Sequence, residues 1–377
     1  MRTRAAVLYE AQKPEPYAET RPLVIEEIEL EKPGPGEVLV ELVGAGLCHS
    51  DLSVINGSIR GRFPTILGHE ASGIVREVGA GVKEVQVDDH VVFSFVPTCG
   101  HCRLCAIGKP ALCVNGNRAN MAGTLLSNGM RFKKPGGQTV SHFLGVSGFS
   151  QYTVAVEESV IKIDKNIPLE KAALFGCAIQ TGVGAVVNTA HVEAGEPVAV
   201  FGLGGVGLSA VMGAKLVGAS PIIAVDVLPN KFELARHLGA DFTVNAREND
   251  PVAVIHDLTH GGVEYAFEAV GNANVLAQAY NATRVGGKTI GIGVPSVTQQ
   301  LTLPAITLVV MEKTLLGSFM GSSIPRRDIP RLIDLYMAGK LPVDELLSPS
   351  VELEDINTGF DRLAQGSAVR QLLHFSH

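Results

Sequence analysis

The sequence predicts an α/β protein that combines a β-rich domain with a doubly wound parallel sheet. Its 377 residues suffice for two or three domains at roughly 150 residues each. In the first half, short apolar runs alternate with turns rich in proline and glycine, which is typical of many short strands. From about residue 180, strand-like and helix-like segments alternate, and this order indicates βαβ units in a parallel sheet.

The predicted elements of the first half are strands. They cover residues 5–8, 38–43, 74–78, 90–95, 152–156 and 160–163. The turn Lys-Pro-Gly-Pro-Gly at 32–36 separates the first two. Residues 114–148 are polar, rich in glycine and weakly periodic, so we expect a long surface excursion there.

In the second half, predicted strands and helices alternate regularly. Strands are predicted at 198–201, 222–225, 242–244, 265–267 and 288–292. Helices are predicted from the glycine run at 202–207 to residue 218, and at 230–238, 251–257 and 272–282. Beyond residue 325 we expect a helix at 329–337 and a last strand at 372–375.

The composition excludes several classes of protein. With 46% hydrophobic and 18% charged residues, the chain is unlike a disordered, collagen-like or coiled-coil protein. The net charge of −7, the lack of a basic block and the absence of tryptophan argue against a nucleic-acid partner. The apolar run 198–214 contains five glycines and suits a buried strand, a turn and a helix better than a membrane span. No signal peptide is read at the N-terminus, so we expect a cytoplasmic protein without a membrane partner.

Four cysteines lie within fifteen residues, in the pattern C-x2-C-x2-C-x7-C. They are Cys99, Cys102, Cys105 and Cys113. Four thiolates fill a tetrahedral shell and leave no open position, so this pattern favours a structural zinc. An iron–sulfur cluster and a redox dithiol remain alternatives, since two-residue spacings also occur in ferredoxins.

The two other cysteines suggest a second metal site. Cys48 and Cys177 lie far apart in the chain, and His69 lies in the motif Gly-His-Glu between them. Two thiolates and an imidazole would leave the fourth position of zinc open for water or substrate, as in catalytic sites. Taken singly, each residue is equally well explained as part of a core.

A dinucleotide fingerprint follows the predicted strand 198–201. Gly202 permits a tight turn, Gly204 lets the backbone approach a pyrophosphate, and Gly207 lets the helix pack closely. Gly205 and Val206 complete the run at the helix N-terminus, whose N–H groups favour phosphate. Asp226 comes nineteen residues after Gly207 and is expected to bind the adenosine ribose, which favours NAD over NADP. Lys231 is either a second ribose contact or a surface lysine.

Beyond these motifs, the chain resembles the zinc-dependent alcohol dehydrogenases of the medium-chain dehydrogenase/reductase superfamily. The resemblance rests on Gly68-His69-Glu70 with Gly73, Gly79 and Val82, followed in the family's order by the four-cysteine lobe, Cys177 and the glycine run. It implies a GroES-like catalytic domain at 1–180, completed by 325–377, and a Rossmann domain at 181–324. Because 114–148 is long, the chain is similar to the long-loop, dimeric branch, and we expect a homodimer that pairs through the edge of the Rossmann sheet.

The resemblance also implies roles for single residues. Cys48, His69 and Cys177 would bind the catalytic zinc, with Glu70 behind the metal and Asp51 on the second nitrogen of His69. The remaining assignments are Ser50 at the substrate oxygen, Thr181 and Val206 at the nicotinamide, His49 and Arg370 at the pyrophosphate, Ile292 and Val294 at the carboxamide, and Phe95 in the substrate pocket. With the four-cysteine lobe, this implies two zinc ions and NAD for each chain.

The implied activity is the NAD-linked oxidation of primary alkyl or aryl alcohols to aldehydes, and the reverse, by hydride transfer. The proton would leave through Ser50, and since the family's relay histidine is replaced by Ser53, either His49 or water would take it. A dehydrogenase of glutathione adducts of formaldehyde is an alternative, which Arg60 and Arg62 disfavour because that branch places acids in this stretch. A non-catalytic NAD-binding protein is a remoter alternative.

Overall fold

A computed structural model describes residues 1–375 of the chain. Its strands are β1 (Arg2–Leu8), β2 (Leu23–Leu30), β3 (Glu37–Leu47), β4 (Thr65–Ile66), β5 (Ala71–Val78), β6 (His90–Phe93), β7 (Phe132–Lys133), β8 (Thr139–His142), β9 (Tyr152–Val156), β10 (Val160–Ile163), β11 (Val198–Phe201), β12 (Ile222–Asp226), β13 (Phe242–Asn245), β14 (Val263–Glu268), β15 (Thr283–Gly291), β16 (Thr314–Gly317), β17 (Val351–Glu352) and β18 (Gln371–His374).

The helices are mostly short in the first half and longer in the second. They are α1 (Tyr17–Thr20), α2 (His49–Ile55), α3 (Arg103–Ala106), α4 (Val114–Ala122), α5 (Leu169–Ala172), α6 (Ala178–Gly184), α7 (Gly205–Val217), α8 (Phe232–His237), α9 (Pro251–Thr259), α10 (Ala273–Ala282), α11 (Ala305–Val310), α12 (Pro325–Met337) and α13 (Ile356–Ala364).

By its internal contacts the chain divides into two compact units. The first unit comprises Met1–Cys177, Ile324–Ile333 and the C-terminal segment from Leu347, and the second comprises Ala178–Ser323 and Asp334–Leu346. The division therefore lies between Cys177 and Ala178, whereas the predicted boundary lies at residue 180. It also gives residues 334–346 to the second unit.

The first unit is built from β-strands, as the turn-rich first half predicts. One group of strands closes into a barrel in the order β1-β2-β7-β8-β4. A second sheet runs β10-β6-β5-β3-β18-β17, with β9 also pairing with β3. Strand β3 is buried over most of its length and pairs with β5, β9 and β18.

The second unit is a parallel sheet in the order β13-β12-β11-β14-β15-β16. Counted from β11, this is the order 3-2-1-4-5-6 of a doubly wound nucleotide-binding fold. Its core contains side chains from β11, β12 and β14, among them Phe201, Val225 and Ala266. The predicted fold class, a β-rich domain with a doubly wound parallel sheet, is confirmed.

The prediction of a surface excursion at residues 114–148 is wrong. This segment forms α4, β7 and β8, and the last two strands close the barrel. Leu125, Phe132 and Val140 are fully buried. Strands β7 and β8 have only two and four residues, too few for a period of two to stand out among the glycines.

No single helix within residues 1–375 is long and apolar enough to cross a membrane. The pair Leu169–Gly176 and Ala178–Ala190 meets the length and composition criteria only when taken together.

Candidate active site

Three turns of the first unit carry the predicted ligands of a catalytic metal. Cys48 follows β3 and precedes α2, His69 lies between β4 and β5, and Cys177 follows a short 3-10 helix. The turn before His69 needs glycine, because Gly68 has a φ of +88° and a Cβ there would lie 2.7 Å from the backbone nitrogen of Phe149.

These turns bring four donor side chains together. Ligand atoms of Cys48, His69, Glu70 and Cys177 all lie within 4.8 Å of one another, and all four residues are buried. A hydrogen bond from Cys177, together with the nearby His69, holds the pKa of Cys48 well below its usual value in spite of burial. Two sulfurs, an imidazole and a carboxylate form a donor set that suits zinc. The predicted ligands are therefore close enough to share one ion.

Asp51 orients the imidazole of His69. Its Oδ1 lies 3.1 Å from Nδ1 of His69 and accepts the Gly68 N–H at 3.0 Å. Burial lowers the pKa of His69, but the Asp51 carboxylate and Cys48 outweigh it and raise this pKa well above its usual value. With Nδ1 engaged, Nε2 is the nitrogen left for a metal.

Glu70 forms a buried ion pair with Arg370. Burial raises the pKa of Glu70 to about 8, although the guanidinium opposes the shift. Arg370 is predicted to bind a pyrophosphate, and the structure gives it a carboxylate partner within the first unit.

Aromatic rings flank the imidazole. The Phe95 ring lies edge-on to His69 at 5.3 Å between centroids, and Phe143 does so at 6.0 Å. Phe95 was predicted from the sequence, whereas Phe143 was not, since its one sequence signal is its place directly after β8. The Phe95 carbonyl accepts a hydrogen bond from Nδ2 of Asn120 at 2.7 Å, which connects the backbone of Phe95 to α4.

The predicted proton-transfer residues begin α2. His49 is exposed and Ser50 is half-buried at its first positions, directly after Cys48. Ser53 lies four residues after His49 and therefore on the same helix face.

The four-cysteine lobe forms a second cluster. Ligand atoms of Cys99, Cys102, Cys105 and Cys113 lie within 4.8 Å of one another. Peptide N–H groups donate to these sulfurs, including that of Gly116 to Cys113 Sγ at 3.3 Å. Backbone hydrogen bonds lower the pKa of Cys102 to about 6, whereas burial raises that of Cys105 to about 12. These four sulfurs are therefore close enough to share one cation, which would favour their thiolate forms.

In the second unit, the glycine run forms an open helix N-terminus. Gly202 has a φ of +93°, and a Cβ at Gly207 would collide with the Gly202 carbonyl oxygen. A Cβ at Gly204 would meet nothing within 4 Å, and no side chain caps α7. No side chain therefore caps the first N–H groups of α7, which leaves them available to a phosphate.

Asp226 ends β12 beside this run. Its Oδ2 accepts the Leu203 N–H at 2.7 Å, its Oδ1 accepts the Leu228 N–H at 2.9 Å, and Lys231 Nζ lies 3.7 Å from Oδ2. The predicted acid and lysine therefore lie together next to the glycine run.

The residues predicted around the nicotinamide lie on other parts of this unit. Thr181 is in α6, which packs so tightly on α7 that a Cβ at Gly182 would collide with the Val206 carbonyl. The Ile292 N–H already donates to the Glu268 carbonyl at 2.8 Å, so only the Ile292 carbonyl can serve a ligand. Val294 is exposed.

Comparison with known proteins identifies the family of the chain. A family model for the alcohol dehydrogenase GroES-like domain matches residues 34–165, and one for zinc-binding dehydrogenases matches residues 205–338. The chain belongs to the zinc-binding alcohol dehydrogenase family. The predicted family is therefore confirmed.

Members of this family resemble the chain over its whole length. An S-(hydroxymethyl)glutathione dehydrogenase of Synechocystis is 39% identical over all of both chains. An alcohol dehydrogenase class-3 of Oryza sativa is 40% identical over 98% of this chain and 96% of its own. The crystal structure of benzyl alcohol dehydrogenase from Acinetobacter calcoaceticus matches with a TM-score of 0.93 and 34% identity over all of both chains.

Proposed function

We propose that the chain is a zinc-dependent, NAD-linked dehydrogenase that interconverts primary alkyl or aryl alcohols and aldehydes. The observation that carries this proposal is the buried cluster of Cys48, His69 and Cys177. Glu70, the fourth donor nearby, is paired with Arg370, so these three ligands leave a position open on zinc, which a purely structural site would fill. The family and the relatives named for alcohol and benzyl alcohol oxidation support the same chemistry.

Bound zinc supplies Lewis acidity to an alcohol hydroxyl, and bound NAD supplies a hydride acceptor. The side chains of the first unit keep this reaction oriented. Asp51 fixes the tautomer of His69, and burial of both thiols excludes water from the donor set. The rings of Phe95 and Phe143 provide an apolar wall beside His69 that suits an alkyl or aryl group.

The proton of the alcohol needs a route to solvent. Ser50 Oγ accepts it and passes its own proton onward. His49 is the next group along α2 and is exposed, so its imidazole can release the proton to water. Ser53 replaces the family's relay histidine and cannot hold a positive charge.

NAD is the preferred dinucleotide in this proposal. Asp226 brings a carboxylate to the end of β12, where it would repel the 2′-phosphate of NADP. Lys231 supports the same site, since its position beside Asp226 allows it to share a ribose hydroxyl.

The four-cysteine lobe holds a second, structural zinc in this proposal. Its sulfurs are close enough for one ion, and four sulfur ligands close the shell. Cysteines that bind metal rather than form disulfides are typical of a reducing compartment, so we place the protein in the cytoplasm.

A glutathione adduct of formaldehyde is the second candidate substrate, favoured by the name of the Synechocystis relative. The loop at 56–62 argues against it, because it carries Arg60 and Arg62 and no acid. Arg62 Nε donates to the Met121 carbonyl at 2.7 Å, which anchors this positive charge beside α4.

The test compares the chain with its Cys48→Ala variant. We expect the unchanged chain to oxidise alkyl and benzyl alcohols without glutathione, as followed by absorbance of reduced cofactor. Cys48→Ala should lose one zinc equivalent and at least about a thousandfold in kcat/KM, because the Lewis acid is lost. Binding of NAD by calorimetry is the control and should persist in the variant.

Two results would contradict the proposal. Equal turnover by Cys48→Ala would exclude catalysis at this cluster. Activity that appears only with formaldehyde and glutathione together would favour the second candidate instead.

A further inference from the structure

Glu268 is a buried carboxylate that the proposed chemistry does not use. It ends β14, is 1% exposed, and lies in register with Phe201 at the end of β11 and Gly291 at the end of β15. Ligands of open parallel sheets bind outside these carboxyl ends of the strands. Burial of a carboxylate is costly unless hydrogen bonds compensate it, so its contacts indicate its role.

The side chain of Glu268 gathers three consecutive peptide N–H groups. Its Oε1 accepts the N–H of Val270 at 2.8 Å, of Gly271 at 2.7 Å and of Asn272 at 3.3 Å. Successive N–H groups that converge in this way form an anion-binding concavity, which the chain's own carboxylate fills. The conformation of the loop 270–272 therefore depends on this negative charge.

The main chain of Glu268 holds a second loop. Its carbonyl accepts the N–H of Ile292 at 2.8 Å and of Gly293 at 3.0 Å. The two loops touch, because a Cβ at Gly293 would overlap the backbone nitrogen of Gly271. One residue thus fixes both loops against each other.

This pair of loops borders the glycine run from the side opposite Asp226. A Cβ at Gly202 would lie 2.6 Å from Val270 Cγ2. Asp226, in contrast, bonds to Leu203 within the run itself. Two buried carboxylates therefore hold different parts of this edge. Asp226 bonds to the glycine run, and Glu268 bonds to the loops that follow β14 and β15.

We propose that Glu268 is a positioning residue for the nicotinamide end of the dinucleotide. The inference rests on the proposed use of NAD and on the predicted contacts of Ile292 and Val294 with the carboxamide. Glu268 acts through the backbone of 270–272 and 292–294 and does not itself touch the reacting atoms.

Comparing the binding of two ligands distinguishes this role from a general effect on the fold. NAD carries the nicotinamide, whereas ADP-ribose has the same adenosine and pyrophosphate without it. We expect Glu268→Gln to weaken NAD binding about tenfold in calorimetry, since three charge-assisted bonds become neutral. Binding of ADP-ribose should change less than about twofold, because the glycine run and Asp226 are untouched.

Glu264→Gln is the matched control. Glu264 lies near the other end of β14 and pairs with Arg284 at 2.9 Å, so its loss should leave both affinities unchanged. If Glu268→Gln fails to fold, Glu268→Asp, which keeps the charge and withdraws it by one methylene, is measured in the same way and should show the same selective loss.

The remaining outcomes overturn the inference. Equal weakening of NAD and ADP-ribose would make Glu268 a structural residue of the whole site. Unchanged NAD binding would give it no role at the site. An unmodified chain that binds neither ligand would overturn the NAD function itself, and this role with it, so the two failures are distinguishable.

Discussion

His142 is a neutral histidine enclosed in the barrel of the first unit. It is 2% exposed, its ring lies 4.9 Å from that of Phe132, and its Nε2 accepts the Arg131 N–H at 3.1 Å. Burial lowers its pKa to about 3, with Arg131 lowering it further and Glu37 opposing. The folded protein therefore excludes a proton that the unfolded chain takes up below the ordinary histidine pKa of about 6.5.

The sign of the resulting pH dependence follows from this difference. The pKa of this histidine is lower in the folded than in the unfolded chain. Its contribution to the free energy of unfolding is therefore fully present above about pH 6.5 and is lost as the pH falls from 6.5 toward 3. At pH 5 the loss amounts to about 2 kcal/mol. We expect His142→Gln, which keeps an acceptor for Arg131 but does not titrate, to remove this part of the loss between pH 7 and pH 5.

Urea unfolding at the two pH values measures the effect. His237→Gln is the control, because His237 is mostly exposed and pairs with the exposed Glu345. An unchanged difference between pH 7 and pH 5 in His142→Gln would show that the buried histidine does not set the acid sensitivity.

At the scale of elements, the four-cysteine lobe is the segment most dependent on a ligand. Its helix α3 has four residues and buries none of them. Without an ion, few apolar contacts would hold this segment to the barrel.

We expect Cys102→Ser to lose one of two zinc equivalents and to lower the Tm by about 5 °C or more, since structural zinc contributes folding free energy. Oxidation of benzyl alcohol at 25 °C should persist at least in part, because Cys48, His69 and Cys177 lie outside the lobe. The matched variant Cys48→Ser should lose the other equivalent and the activity with a smaller change in Tm. Iron in place of zinc in the unmodified chain would contradict the assignment.

Strands that appear as short apolar runs were predictable from the sequence. The strands at 152–156, 160–163 and 198–201 agree with β9, β10 and β11 to the residue. The short strands β7 and β8 were not, because pairing within the barrel rather than local pattern makes them strands.

The site could be predicted only in part from residue types and spacing. The fingerprint from Gly202 to Asp226 is local, so its geometry follows from the chain order. The meeting of Cys48, His69 and Cys177 depends on three distant turns, which residue types and spacing cannot bring together without the family resemblance. Glu268 was missed because a carboxylate at a strand end has no sequence signal of its N–H partners.

At the scale of the whole molecule, the β16 edge of the parallel sheet is a surface suited to bind another chain. Within the described chain, β16 pairs only with β15, so its outer side offers unpaired backbone groups. Helix α11 directly before it exposes Ile306, Val309 and Val310, at 67, 77 and 65%. Exposed apolar side chains beside an open strand edge mark an interaction surface.

We propose that a second copy of the chain covers this edge, as the predicted homodimer requires. A two-fold axis would let β16 pair with itself in antiparallel fashion and bring both copies of α11 together. We expect the unmodified chain to sediment as a dimer. The double variant Val309→Asp, Val310→Asp should raise the dissociation constant at least about a hundredfold, because each buried, unpaired carboxylate costs several kcal/mol. Val297→Asp is the control, since Val297 is 98% exposed and lies outside α11 and β16. A monomeric unmodified chain, or a double variant that still sediments as a dimer, would exclude pairing through this edge.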